Sequence, residues 1–187
     1  VASLTKVVAT TSSIMKLVEM GRVRLNDRVT AYLPEFQGGT SDITVRQLLT
    51  HYSGMRPDVD LEPEWGGYDT GVMKAIIDLP TAPPNTKFTY SDINFILLGE
   101  IVRRAGGSPL PEFAREHIFN PLSMHDTMFQ PPEDLRPRIA PTEIVKDSTE
   151  PLRGIVHDPT TRFMGGVAGH AGLFSTANDL SIFAQTL

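Results

Sequence analysis

The chain has no cysteine among its 187 residues. That absence excludes a disulfide framework, a thiolate metal site and a cysteine nucleophile. No apolar run approaches the roughly 18 residues that a membrane-crossing helix requires. Charge of either sign is dispersed: 17 Lys and Arg stand against 22 Asp and Glu, a net charge of −5. Such a balance offers no basic patch for nucleic acid. There is no internal repeat and no low-complexity tract. His51, His125, His157 and His170 lie far apart and none belongs to a His-Glu-x-x-His helix, so no metal ion is expected. Gly165-Gly166-Val167-Ala168-Gly169 lacks the Gly-Lys-Ser/Thr ending of a phosphate loop and reads as a flexible connection. Trp65 is the one tryptophan, suited equally to lining a pocket or to pinning a loop.

What remains is a globular composition, 40% hydrophobic and 21% charged. Fifteen glycines and fifteen prolines predict long loops between helices. Residues 3–20 carry apolar groups at helical spacing, with Gly21 as a stop. Residues 22–36 end in Leu33-Pro34, a turn or edge segment. Thr44 is placed to cap a short helix through Leu49, broken by Ser53-Gly54. Residues 56–70 read as loop and Val72 to Leu79 as a short helix. Pro83-Pro84-Asn85 forces an extended path. Ser91 then caps an apolar helix that Gly106-Gly107 ends. Pro111 opens another through Phe119. From Pro121 to about Gly166 periodicity fades, as in a functional loop region. Thr176-Ala177-Asn178-Asp179 has the form of a capping box before the last helix. The chain opens at Val1 and stops inside an apolar run ending at Leu187, so it reads as an excerpt cut at both ends.

Two elements carry chemistry. In Ser3-Leu4-Thr5-Lys6, residues three apart share a helix face, so the two side chains can touch. Ser3 falls in a first turn, where unpaired backbone N–H groups and the positive dipole end gather. An amine beside the hydroxyl can take its proton and make Ser3 a nucleophile. Ser and Lys at this spacing also arise in any solvated first turn. Tyr90-Ser91-Asp92 is the second element, at a loop-to-helix junction. A tyrosine hydroxyl brought near Lys6 would be a candidate base. A half-buried Tyr beside a merely capping Ser91 is the alternative.

Taken together in order, these segments resemble the class C β-lactamase, D-alanyl-D-alanine carboxypeptidase and related esterase group. Its Ser-x-x-Lys element is similar to Ala2-Ser3-Leu4-Thr5-Lys6, and its Tyr-x-Asn element to Tyr90-Ser91-Asp92. Further resemblance lies in Gly21 to Val29, in Tyr32-Leu33-Pro34-Glu35-Phe36 and in Thr44 to Gly54. Pro121-Leu122-Ser123-Met124-His125-Asp126-Thr127 and Ala171 to Ala177 add to it.

The resemblance implies an α+β fold, β-lactamase/transpeptidase-like: an antiparallel sheet flanked by helices, with an all-helical lobe beside it. Residues 1–187 would form a partial domain, mostly α, comprising the nucleophile helix and the helical lobe. It implies a serine hydrolase working through an acyl-enzyme. Ser3 would be the nucleophile, Lys6 its activating partner, and Tyr90 the base in acylation and proton donor to the leaving group. Asp92 would bind substrate where the group often has Asn, although a carboxylate cannot donate as an amide does. Ser123 stands where a Gly is usual. The third motif, Lys-Thr-Gly or His-x-Gly, is expected beyond Leu187, with the N–H that completes the oxyanion hole. His170-Ala171-Gly172 is not assigned to it, because Leu173 to Leu187 resembles the segment preceding that motif. No cofactor is implied. The partner would be a small-molecule or peptide substrate, in the periplasm or cell envelope, and the excerpt alone would be poorly active. The alternative is a penicillin-recognising sensor or an inactive scaffold that binds cell-wall peptides.

Overall fold

The computed structural model describes residues 1–38, 42–145 and 148–187. Its first helical rod departs from the regular helix predicted over 3–20. Lys6–Thr11 is wound as a π-helix that runs into α1, Ser12–Glu19. Ser12 explains the wider turn: its backbone N–H bonds to Val7 O, and its Oγ donates to the same carbonyl at 3.0 Å. Hydroxyl back-bonding of this kind competes with the regular ladder, and short π segments tend to mark functional positions. The rod is buried along Lys6, Val8, Ala9 and Thr10, then Ser13, Ile14 and Leu17.

A short 3-10 turn, Val29–Ala31, fills the segment read as turn or edge. α2, Val45–Leu49, begins as predicted at Thr44, with a full capping box to Gln47. α3, Tyr68–Ile77, starts four residues before the expected Val72. Gly67 (φ 97°) turns the chain there, and its N–H bonds to Phe163 O at 2.8 Å, a long-range anchor with no local signature. Trp65 stands edge-on to Phe163 with centroids 5.4 Å apart and donates through Nε1 to Asp60 O, so it pins this loop.

α4, Asp92–Gly106, is the axis of the helical lobe, with ten consecutive residues from Ile93 to Val102 buried. Ser91 caps it by accepting from Asn94 N–H, and Gly107 in the left-handed region (φ 82°) closes it. Glu100 is buried on this helix and ion-paired to Arg103 and Arg104. Burial acts to raise its pKa, but the two guanidinium groups outweigh burial and hold the carboxyl below its ordinary range. α5, Leu110–Ala114, continues into a second π segment, Arg115–Phe119.

The irregular stretch after Pro121 contains β1 (Met128–Phe129), a 3-10 turn (Glu133–Arg138) and α6 (Pro159–Phe163). β1 pairs antiparallel with β2 (Leu173–Phe174), Met128 opposite Phe174. Before α7, Ala177–Ala184, Thr176 accepts from Asp179 N–H. The expected reciprocal box is only half made. Asp179 Oδ2 instead accepts from Asp126 N–H and Thr127 Oγ1, tying α7 to β1. One continuous apolar core runs from Val8 to Phe183.

The 168–171 segment crosses α4 at very close range. A Cβ at Gly169 would lie 1.9 Å from Phe95 O, so only glycine permits this approach. Thr10 Oγ1 donates to Gly169 O at 2.7 Å, fastening the same segment to the first rod. Among the described residues, no helix is long and apolar enough to cross a membrane.

Candidate active site

Ser3 and Lys6 meet as their spacing predicts, with Lys6 Nζ donating to Ser3 Oγ at 3.0 Å. The lysine side chain is 5% exposed, which makes its polar surroundings decisive. Its other contacts are an ion pair to Asp92 Oδ1 at 2.7 Å and a hydrogen bond to His170 O at 3.2 Å. Ser3 Oγ and His170 O thus serve as its hydrogen-bond acceptors, and Asp92 faces it as a charge partner. Asp92 sits in the first turn of α4, where the helix dipole favours a carboxylate.

Tyr90 arrives beside Lys6 through its ring, whose centroid is 4.7 Å from Nζ. The Phe95 ring lies 5.7 Å from the same nitrogen. His51 tilts against Tyr90 with centroids 4.5 Å apart, and its Nδ1 accepts from Ser91 N–H at 3.0 Å. His51 therefore orients the Tyr90-Ser91-Asp92 junction. Burial, with the Lys6 charge adding to it and Asp92 opposing, lowers the His51 imidazole from its ordinary range, consistent with a neutral ring that accepts at Nδ1.

One expectation is corrected. The N–H groups of Leu4, Thr5 and Lys6 do not stand free around Ser3, because each bonds to the carbonyl three residues back, Val1, Ala2 and Ser3. They are committed to the turn that presents the serine. Thr5 Oγ1 donates to Ala2 O and accepts from Leu173 N–H, which fixes this turn against β2.

A group that spacing did not reveal lies behind Lys6. Asp158 caps α6 by accepting from Thr161 N–H at 2.7 Å, and it also accepts from His170 Nε2 at 2.8 Å. Thr161 Oγ1 is 3.1 Å from the same ring nitrogen. Burial acts to raise the Asp158 carboxyl, yet His170 and Thr161 more than offset it and hold it well below the usual carboxylate range. Thr160 Oγ1 donates to Asp58 Oδ2, and burial raises that second carboxyl above its ordinary value. The only local signal in the sequence was Asp158-Pro159, an N-cap followed by Pro at the first helical position. Nothing tied it to residue 170.

Asp92, Asp158 and His170 hold ligand-type atoms within 4.8 Å of one another, close enough for a cation. Lys6 Nζ, 2.7 Å from Asp92, already occupies this place. A cavity of about 450 Å³ opens beside Ser3, lined also by Ala2, Asp158, Pro159, Gly172 and Leu173. A serine hydroxyl, an amine in contact with it and an adjoining cleft are together suited to acyl transfer.

Known proteins share this arrangement of the chain. The sequence is 34% identical over 214 residues to the N-acetylmuramyl-L-alanine amidase of Bacillus subtilis, covering all of this chain and 48% of the relative. The β-lactamase/D-alanine carboxypeptidase structure from Yersinia pestis superposes with a TM-score of 0.77 at 25% identity, over 99% of this chain and 52% of that one. A class C β-lactamase from Rhodobacter sphaeroides shares the fold, with a TM-score of 0.74 at 22% identity over 98% of this chain and 49% of its own. The chain spans about half the length of the relatives it matches. The β-lactamase family pattern matches residues 1–187 throughout, and the chain belongs to that family.

Proposed function

We propose that the protein is a serine hydrolase that works through an acyl-enzyme on Ser3. The observation that carries this reading is the contact of exposed Ser3 with buried Lys6, closed on its far side by Asp92 and His170 O. Ser3 Oγ attacks a substrate carbonyl carbon and its proton passes to the Lys6–Tyr90 pair. Tyr90 then protonates the departing amine or alkoxide, leaving Ser3 as an ester. Water adds to that ester and releases the acid, and the proton returns to Ser3. Asp92 holds Lys6 in place and faces the substrate without an amide's donor.

Residues 1–187 supply the nucleophile helix and the helical lobe of the domain. The third motif and the sheet that carries it belong to the remaining length that the relatives have. Substrates are peptides ending in D-alanine or simple esters in preference to β-lactams, encountered in the cell envelope. This preference is supported by relatives named N-acetylmuramyl-L-alanine amidase and D-alanyl-D-alanine carboxypeptidase.

Intact-mass spectrometry of the full-length protein with penicillin and, separately, with an activated ester tests the proposal. An adduct on Ser3 that is absent in Ser3→Ala is the expected result. A lifetime of seconds or less for that adduct indicates a hydrolase, and one of hours indicates a sensor. No adduct and no turnover with either reagent would reduce the protein to a binding scaffold.

A further inference from the structure

We propose that His170 is a positioning residue for Lys6: its buried ring, pinned by Asp158 and Thr161, fixes the main-chain carbonyl that holds the lysine amine against Ser3. The inference rests on the serine-hydrolase reading above and deepens it.

Two of the three oxygens around Lys6 Nζ, Ser3 Oγ and Asp92 Oδ1, are side-chain atoms that can rotate away. The third, His170 O, belongs to the backbone, so it stays only where residues 169–171 are held. Three fastenings hold them. Gly169 lies against the α4 backbone at a distance no side chain would allow. Thr10 Oγ1 donates to Gly169 O at 2.7 Å. The His170 ring, with the residue 1% exposed, shares its Nε2 between Asp158 Oδ1 and Thr161 Oγ1 at 2.8 and 3.1 Å.

The first two fastenings hold residue 169, and the Leu173 N–H bond to Thr5 Oγ1 holds the chain beyond. The ring anchors the Cα from which the carbonyl departs, because a shift of residue 170 away from Lys6 would drag Nε2 off both partners. Asp158 remains an anion in this place and is itself immobilised as the cap of α6. The chain of contact therefore runs from α6 through one histidine to the amine beside the nucleophile. A displacement of about 1 Å at a reacting group can cost on the order of 100-fold in rate.

The test uses the full-length protein with p-nitrophenyl acetate and three variants. His170→Ala should lower the Ser3 acylation rate by roughly 10- to 100-fold while KM moves less than about threefold. His170→Gln, which can present an N–H to Asp158, should recover most of that loss. Wild-type acylation in a folded His170→Ala overturns the proposal, and so does a His170→Gln as slow as His170→Ala. If His170→Ala does not fold, Asp158→Asn decides. It keeps an acceptor for Thr161 N–H and weakens the bond to the ring, so it should be slower, and a wild-type rate refutes positioning. If wild-type Ser3 takes no acetyl group, the hydrolase reading fails separately. The ζ-15N resonance of Lys6 then settles the positioning role: it should shift in His170→Ala or Asp158→Asn, and an unchanged signal overturns it.

Discussion

Gly169→Ala perturbs the site through the backbone alone. The added Cβ would stand 1.9 Å from Phe95 O and 3.1 Å from Gly99 N, both main-chain atoms of α4. Real Cβ contacts essentially never fall below 3.0 Å, so the segment must retreat by at least 1.1 Å, the difference between 3.0 and 1.9 Å. Neither wall is a flexible side chain that could swing aside. Overpacking a close contact costs about 1–3 kcal/mol, and a backbone wall argues for the upper end, about 3 kcal/mol. For a chain of this size that is a fall of roughly 6–12 °C in Tm. The retreat also displaces the segment that carries His170 O, whose 3.2 Å bond to Lys6 Nζ has little length to spare. Ser3 acylation should then drop on the order of 100-fold. Differential scanning fluorimetry and stopped-flow acylation by an activated ester measure the two effects. Gly99→Ala is the control, because its Cβ would meet Gly169 at 3.2–3.3 Å and needs a shift of only a few tenths of an ångström. A Gly169→Ala protein with the Tm and acylation rate of the wild type would refute the reasoning. A Gly99→Ala protein hit harder than Gly169→Ala would refute it equally.

Three other outcomes are expected. Glu100→Ala should cost about 2–3 kcal/mol in chemical unfolding. A broken buried pair costs about 3–5 kcal/mol, discounted here because the Arg103 and Arg104 side chains are 42% and 33% exposed and regain water. Ser91→Ala removes the cap acceptor of α4 and the donor to Arg56 O, a loss of about 1–2 kcal/mol by urea titration. His51 has a lowered folded-state value, so folding favours its neutral form, with Lys6 acting in the same direction and Asp92 against it. Its stabilisation is present above about pH 6.5 and fades as pH falls through the lower folded value. The acid-side decline in Tm should therefore be shallower in His51→Gln than in the wild type, and parallel slopes would count against the buried neutral ring.

Local chemistry made much of this protein legible in its sequence. Thr44, Ser91 and Gly107 announced helix ends because capping needs only a side-chain acceptor or a left-handed residue within one turn. The Ser3–Lys6 contact was legible for the same reason, since three residues on a helix fix a distance. Other features had no local cause. The early start of α3 depends on Phe163 O, ninety-six residues beyond Gly67 in the sequence. Asp179 left its box for Asp126 and Thr127. The ring face of Tyr90 meets Lys6 because His51 stacks beneath it.

The sequence by itself determined where most helix ends fall and that Ser3 and Lys6 meet, because those depend on spacing within a single element. Only the tertiary structure decided what surrounds the amine. Asp92, His170, Asp158 and Thr161 come together from three separate segments, held by a glycine contact and hydrogen bonds that exist only once those segments are packed.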